Sequence, residues 1–423
     1  MEPRVDTTAG GLRVITEAVP GVRSVAVGAW IGVGSRYETP AQSGVSHFLE
    51  HMLFKGTPTL TPEGIAQAFD GLGGEVNAAT GRDYTVVYAR VLDELVDRAL
   101  PVLTDMLTRP AFTDLEQERE VVLEEIAMYE DDPQDQIHDM VSEAVFPDQP
   151  LGRPVIGTSQ VVGAVTHAEV SGYHRAHYAA PNMVLAAAGN VDHEEMVELA
   201  GRLFADLPRG HEASVIEGAR PGTPSLALKE KPTEQYHLAL GGPGLSRNDP
   251  RRHAQGVLDT VLGGSMSSRL FQEVREKRGL AYAVGSYAVG YADVGQVGVY
   301  LGTREDNLVT ACDIIRHELR RLAEEPLPAD ELQRAKDHLR GRLVLSMESS
   351  GTRMNRIGRA LLTGTELLSV DEVIDRIAAV TAADVQELAA AHWQPEQMSV
   401  AAIGPRGDAI RAAVEHLSPA LAA

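Results

Sequence analysis

Residues 85–110 read TVVYARVLDELVDRALPVLTDMLTRP, and their pattern decides the fold. The run 85–89 alternates in the manner of a strand, and the apolar residues that follow recur at helical spacing until Pro110. These residues are Leu92, Leu95, Ala99, Val102, Leu103 and Met106. The same order returns later in the chain, where the run 296–300 precedes a second apolar helical pattern that stops at Pro326. That second pattern consists of Leu308, Cys312, Ile315, Leu319 and Leu322.

This internal repeat predicts an α+β fold built from two homologous α/β repeats. Each repeat is expected to hold a mostly antiparallel sheet with helices packed on one side. The stretch 208–224 is rich in Gly, Pro and charge and lacks periodicity, so it is predicted to be a linker. The predicted domains are therefore 1–207 and 225–423.

Composition excludes several classes of protein. The chain has 423 residues, 43% of them apolar, which is enough for a substantial core. A net charge of −22 disfavours a nucleic-acid partner. The single cysteine, Cys312, excludes an intrachain disulfide and a multi-thiolate metal site, and its helical stripe favours a core position. We expect a cytoplasmic protein without a membrane span, because no secretory h-region and no uninterrupted bilayer-length apolar run is present.

The negative charge is concentrated in the first half. Residues 1–215 hold 33 acidic and 14 basic side chains, whereas residues 216–423 hold 27 and 24. The segment 114–148 contains 13 acids and one base, Arg119. Such a segment is typical of a solvated face, and the alternative is a negative wall that attracts basic substrates or metal ions.

Residues 43–57 contain the residues with the clearest chemistry, in the sequence SGVSHFLEHMLFKGT. Its apolar positions have a helical period, and Ser43 is a candidate N-cap. His47 and His51 are four residues apart, on one face of that helix, where both imidazoles can reach one zinc ion. Glu50 beside them can take a proton from water, as in the H-x-x-E-H arrangement. A chance surface cluster is the alternative, but three polar groups on an otherwise apolar helix favour a bound metal.

A catalytic zinc ion usually takes three protein ligands, so a third donor is required. The glutamate-rich segment 116–130 is the candidate source. Glu118 and Glu125 are seven residues apart and share a helical face, whereas Glu120 and Glu124 point elsewhere. Composition alone does not choose among these glutamates.

These residues resemble the pitrilysin-type zinc peptidases, the inverzincins, and within them the mitochondrial-processing-peptidase-like subfamily and its bacterial relatives. The resemblance extends over nearly the whole chain. It is carried by the segments 47–51, 118–125, 73–78, 83–85, 181–183, 189–191, 268–271 and 279–282.

The resemblance implies a zinc endopeptidase with one zinc ion per chain. It implies that His47, His51 and Glu125 ligate the metal, that Glu118 orients the site and that Glu50 is the general base. It further implies that Arg275 and Tyr282 bind the substrate carbonyl or the tetrahedral intermediate, a role that suits a cation and a phenol. A peptide substrate would add as a strand beside Asn77, Ala78 and Ala79.

The resemblance also implies a partner. Relatives of this length build a closed chamber from two homologous chains, so a homodimer or a heterodimer is expected. The alternatives are a catalytic subunit that is inactive without its partner, a non-catalytic assembly subunit, and a metal-dependent hydrolase of other substrates.

The second half is expected to be metal-free. The segment 256–260, GVLDT, is the predicted counterpart of 47–51 and keeps no histidine pair. His174 and His177 form another close histidine pair, but their spacing of three without a matching carboxylate helix favours a structural role.

Overall fold

The computed structural model describes residues 2–210, 213 and 218–422. Within the predicted linker 208–224, residues 211–212 and 214–217 lie outside the described residues. The chain divides into two compact units. The first unit comprises Met1–Ile126, Pro154–Ile216 and Leu345–Ser369, and the second comprises Ala127–Arg153, Glu217–Val344 and Val370–Ala423.

Each unit is built on one sheet. The strands are β1 (Arg4–Thr7), β2 (Arg13–Ala18), β3 (Ser24–Ile31), β4 (Glu75–Thr80), β5 (Thr85–Leu92), β6 (Met183–Gly189), β7 (Leu226–Glu230), β8 (Tyr236–Gly244), β9 (Ala281–Gly290), β10 (Gly295–Thr303) and β11 (Ser399–Gly404). The first sheet has the order β1-β2-β6-β3-β5-β4, and the second has the order β7-β11-β8-β10-β9. β2 pairs with β6 in parallel, as β7 does with β11, and the other pairs are antiparallel. The predicted fold class, two mostly antiparallel α/β repeats, is confirmed.

The helices are α1 (Val45–Leu53), α2 (Pro62–Gly71), α3 (Val96–Thr108), α4 (Leu115–Asp131), α5 (Pro133–Val145), α6 (Ser159–Val162), α7 (His167–His177), α8 (His193–Leu203), α9 (Arg252–Leu262), α10 (Glu305–Glu324), α11 (Ala329–Ser346), α12 (Ser350–Thr363), α13 (Val370–Ala379), α14 (Ala382–His392), α15 (Gly407–Leu417) and α16 (Pro419–Ala422). A π-helical segment spans Phe271–Glu276. Within the described residues, no helix combines the length and apolarity needed to span a bilayer.

The two repeated patterns form the predicted elements. Residues 85–89 lie in β5 and residues 296–300 lie in β10, and α3 and α10 follow them. Cys312 is fully buried in the second core, as expected from its apolar stripe. Leu92 departs from the pattern, because it ends β5 with 46% of its surface exposed. Its apolar side chain matches the helical period by sequence spacing only.

Each unit takes one helix from the other half of the chain. α12, from the second half, packs on β3, β6 and β2 of the first sheet. α5, from the first half, packs on β8 and β11 of the second sheet. The compact units therefore differ from the sequence-contiguous segments 1–207 and 225–423. Both faces of each sheet are covered, because strands such as β6 are buried along their whole length and need apolar contacts on both sides.

Close approach and charge fix α12 on the first sheet. Met354 and Ile357 join a cluster with Trp30 and the residues beside it on the second face of the sheet. At Gly358 an added Cβ would lie 2.2 Å from Trp30 Nε1 and 2.8 Å from the Ala186 Cβ, so only glycine fits. Glu17 of β2, with 3% of its side chain exposed, forms ion pairs with Arg353 and Arg356 of α12.

We expect Gly358→Ala to lower the free energy of unfolding of the first unit by about 1–3 kcal/mol, because the new methyl group overpacks the contact with Trp30. Gly351→Ala is the matched control on the same helix, since its added Cβ would meet only Ser349 Oγ at 3.6 Å. Thermal and urea denaturation of both variants measures the difference. Equal stability of the two variants would contradict the close packing of α12.

Candidate metal centre

Helix α1 carries the candidate metal ligands on the side opposite its core contacts. Its apolar residues Val45, Phe48, Leu49, Met52 and Leu53 are at most 1% exposed and belong to the core of the first unit. This packing leaves the two histidines and the glutamate of the motif half-buried on the other side. The burial pattern thus follows the helical period of the sequence.

The start of α1 differs from the sequence prediction. Gly44, with φ of +95°, is the N-cap, and Ser43 is not. The two oxygens of the buried Glu38 carboxylate accept hydrogen bonds from the Gly44 and Ser46 N–H groups at 2.8 and 2.7 Å. A carboxylate suits this position because it satisfies free N–H groups and the positive end of the helix dipole. Glu38 lies seven residues before the first residue of α1, so the usual search for a cap next to the helix start did not identify it.

The donor atoms of His47, His51 and Glu125 converge. These atoms lie within 4.8 Å of one another, and this is the one such group of three or more candidate metal donors in the described part of the chain. Glu125 Oε2 lies 3.8 Å from His47 Nε2 and 3.4 Å from His51 Nε2. Tetrahedral zinc with bonds of 2.0–2.2 Å separates its ligand atoms by about 3.3–3.6 Å. The donor set and its spacing therefore fit zinc.

The charge state of His47 also fits a metal. Burial, and next the charge of His51, lowers the pKa of His47 to about 4. The imidazole is therefore neutral at pH 7, which is the form that ligates metals. Its Nε2 faces Glu125, and its buried Nδ1 has no hydrogen-bond partner among the described residues.

Helix α4 decides which glutamates reach the centre. Glu125 is half-buried and faces the histidines, and Glu118 is 3% exposed one heptad earlier. Glu120 and Glu124 are exposed. The sequence did not decide which face of α4 points to the histidines, and in the structure it is the face shared by Glu118 and Glu125.

Glu118 contacts a histidine instead of the candidate metal position. Its Oε1 is 2.8 Å from His51 Nδ1, and its Oε2 is ion-paired with Lys55 Nζ at 2.5 Å. A carboxylate that accepts from Nδ1 fixes the orientation of the ring and leaves Nε2 to the metal. Lys55 was not singled out from the sequence, although it lies one helical turn beyond His51.

Glu50 is half-buried beside this centre. Burial raises the pKa of its carboxyl, a change that the hydrogen bond from Thr80 and the charge of His51 oppose and the charge of Glu125 reinforces. The Thr80 hydroxyl donates to Glu50 Oε2 at 2.5 Å. Thr80 is the last residue of β4, so the base is tied to that strand.

Strand β4 is an edge of the first sheet and pairs only with β5 in the described part of the chain. It contains Asn77, Ala78 and Ala79, the residues implied to meet the substrate. Asn77 and Ala79 are exposed, and Ala78 is buried at 9% exposure. An edge strand next to a base has free backbone groups for pairing with an extended peptide.

Arg275 and Tyr282 lie together in the second unit. The Arg275 guanidinium sits over the ring of Tyr282 at 4.3 Å and over that of Phe271 at 4.7 Å, and Nη1 donates to the Tyr282 carbonyl at 3.2 Å. The π-helix places Phe271 and Arg275 four residues apart, and Tyr282 follows in β9 with 77% of its surface exposed. π-helical turns are frequent at functional sites. Phe271 was not singled out from the sequence.

His174 and His177 have the structural contacts expected of them. The His174 ring is buried, with Nε2 2.7 Å from the Leu107 carbonyl, and its neighbours are Phe112 and Tyr178. His177 packs on Tyr173 at 4.4 Å. In the second unit the segment 256–260 lies in α9, where Asp259 accepts from Ser286 at 2.6 Å.

Comparison with known proteins gives matches over nearly the whole chain. Residues 13–159 match the family model described as insulinase, peptidase family M16, and residues 164–339 match the one described as the peptidase M16 inactive domain. An uncharacterized zinc protease of Streptomyces coelicolor is 46% identical over 419 residues, with 96% of this chain and 90% of the relative covered. The uncharacterized zinc protease YmxG of Bacillus subtilis is 40% identical, with 95% and 98% covered.

Two solved structures share the fold. The peptidase M16 inactive domain from Pseudomonas fluorescens aligns with a TM-score of 0.89 at 24% identity, covering 96% of this chain and 99% of that one. A protease from Helicobacter pylori aligns with the same score at 21% identity and with the same coverage.

We expect Glu118→Gln to weaken zinc binding about 10–100-fold, because the ring of His51 loses its charged acceptor. Glu124→Gln on the same helix is the control, since that side chain is exposed. Competition with a metal chelator measures both dissociation constants. Equal affinity of the two variants would mean that Glu118 does not act on the metal centre.

Proposed function

Since the chain belongs to peptidase family M16, the insulinase and pitrilysin-like family, we propose that it is a zinc-dependent endopeptidase. The observation that carries the proposal is the convergence of His47, His51 and Glu125 beside the Glu50 carboxylate. The relatives of this family are named zinc proteases. The finer assignment to the mitochondrial-processing-peptidase-like subfamily stays a prediction.

In this proposal His47, His51 and Glu125 hold one zinc ion per chain. When bound, zinc lowers the pKa of water towards neutrality and polarises a carbonyl group. Glu118 keeps the His51 ring oriented through Nδ1. These donors come from two helices of one core, which limits their movement.

Glu50 is the proposed general base. It lies on α1 between the two histidines, and Thr80 holds one of its oxygens by a short hydrogen bond. Its carboxyl accepts the proton of the attacking water and then transfers that proton to the leaving amine. A raised pKa favours this role, because a base works best when its pKa approaches the working pH.

The substrate is proposed to be an extended peptide or an unfolded leader segment. It would pair with β4 along Asn77, Ala78 and Ala79 through backbone hydrogen bonds. This placement is supported by the Thr80 hydrogen bond, which links the end of that strand to the base. Main-chain pairing leaves the choice of side chains open to many sequences.

Arg275 and Tyr282 are proposed to stabilise the charge that develops on the substrate carbonyl oxygen. A guanidinium and a phenol are suitable donors for such an oxyanion. The contacts of the Arg275 guanidinium with the rings of Phe271 and Tyr282 and with the Tyr282 carbonyl support the proposal, because they limit its orientation before substrate arrives.

A homologous partner chain is part of the proposal. It would complete a closed chamber, as a homodimer or a heterodimer. The description as an inactive domain applies to residues 164–339. The three candidate ligands and the proposed base, Glu50, lie outside that range. The description therefore does not favour a non-catalytic subunit.

We expect Glu50→Gln to abolish cleavage of a mixed peptide library while leaving equimolar zinc bound, because the amide cannot accept a proton. Glu124→Gln is the matched control and should cleave normally, since Glu124 is exposed on α4. Zinc content by metal analysis and products by mass spectrometry give the two readouts.

Two results would separate the remaining alternatives. A wild-type chain that binds zinc without Glu50-dependent cleavage would contradict a stand-alone peptidase and indicate a required partner. A His47→Ala variant that keeps its full zinc content would contradict the ligand assignment.

We expect Arg275→Ala to lower kcat by about 100-fold or more without loss of zinc, because one oxyanion donor is removed. Lys277→Ala is the control, since this neighbouring side chain is exposed and pairs only with Glu273 among the described residues. Steady-state kinetics and metal analysis measure both. Unchanged kcat in Arg275→Ala would remove this residue from the mechanism.

A further inference from the structure

Lys55 has a contact that the proposed mechanism does not use. Its Nζ lies 2.5 Å from Glu118 Oε2, and Glu118 Oε1 lies 2.8 Å from His51 Nδ1. Within the described residues, Lys55 is the one lysine or arginine ion-paired with Glu118. The three side chains thus form a continuous series that ends at a candidate metal ligand.

The backbone holds Lys55 in place. Lys55 follows the end of α1, and its N–H donates to the Met52 carbonyl at 3.2 Å. Its own carbonyl accepts a hydrogen bond from the Thr113 hydroxyl, and Gly56 accepts one from the Ala111 N–H at 2.9 Å. The turn after α1 is therefore tied to the segment that leads into α4, which carries Glu118.

The charge of Lys55 neutralises the buried carboxylate of Glu118. The Glu118 side chain is 4% exposed, and a buried carboxylate is costly unless it is paired. Apart from the Lys55 ammonium, the buried Oε2 has no hydrogen-bond partner among the described residues. The ion pair fixes one oxygen of the carboxylate, so the other faces the His51 ring.

We propose that Lys55 is a positioning residue of the metal centre, which acts on zinc affinity through Glu118 and His51. The proposal rests on the proposed function, because it requires that His51 ligates zinc. Partners of this kind around metal ligands typically change metal affinity by 10–100-fold. Lys55 is one step further from the metal, so we expect the lower end of that range.

The experiment measures zinc affinity and not only activity. Lys55→Met removes the charge and keeps the length of the side chain, and Lys55→Arg keeps the charge. Lys336→Met is the matched control, because Lys336 is half-buried like Lys55 and its Nζ donates to the Ala378 carbonyl at 2.8 Å, on helices that carry no candidate ligand. Dissociation constants come from chelator competition, and the absorption spectrum of the Co²⁺-substituted protein reports on ligand geometry.

We expect Lys55→Met to weaken zinc binding about tenfold and to change the Co²⁺ spectrum, with Lys55→Arg and Lys336→Met close to wild type. In a Glu118→Gln background, Lys55→Met should add little, because both changes break the same series. Wild-type affinity in Lys55→Met, or effects of the two changes that multiply, would overturn the proposal. A wild-type chain without zinc affinity would instead overturn the proposed function.

Discussion

The rotation of α1 about its axis is the constraint on which the candidate site depends. Five apolar side chains of α1, each at most 1% exposed, pack in the core of the first unit and so fix the orientation of the helix about its axis. Since side chains on a helix point in directions set by their sequence spacing, the same packing directs His47, Glu50 and His51 away from the core. The Glu38 cap fixes the beginning of the helix, and the turn at Lys55 and Gly56 fixes its end.

Electrostatics limits how many carboxylates such a centre can hold. Glu50, Glu118 and Glu125 lie in one partly buried region, where like charges repel strongly. The structure compensates two of them in different ways: a hydroxyl for Glu50, and an ammonium and an imidazole for Glu118. Glu125 instead lies among the candidate metal donors, where a bound cation would neutralise it. Most other acids of the segment 114–148 are exposed, as expected of a solvated face.

Periodic patterns predicted the parts of the fold that depend on local sequence. The strands at 85–89 and 296–300 and the helices after them were predicted because alternation and helical spacing repeat in the two halves. The N-cap of α1 was predicted wrongly, because a distant carboxylate provides it in place of Ser43. The placement of α12 was not predicted, since an amphipathic helix does not show which sheet it covers. The sequence did not show which face of α4 points to the histidines. The structure shows that this face carries Glu118 and Glu125, whereas Glu120 and Glu124 are exposed.

The exchange of α5 and α12 has a consequence for the order in which the chain is made. The last strand of the first sheet ends at Gly189, but the helix that covers its second face begins at Ser350. At roughly 5–20 residues per second, a ribosome needs about 10–30 s to add the intervening chain. During that time Trp30 and the apolar residues around it have no cover from their own helix. The main core of the first unit comes from residues 12–207 alone and that of the second unit from residues 226–421 alone. Each half, if cut at the midpoint of the chain, would thus keep its main core but lack the helix that covers the second face of its sheet.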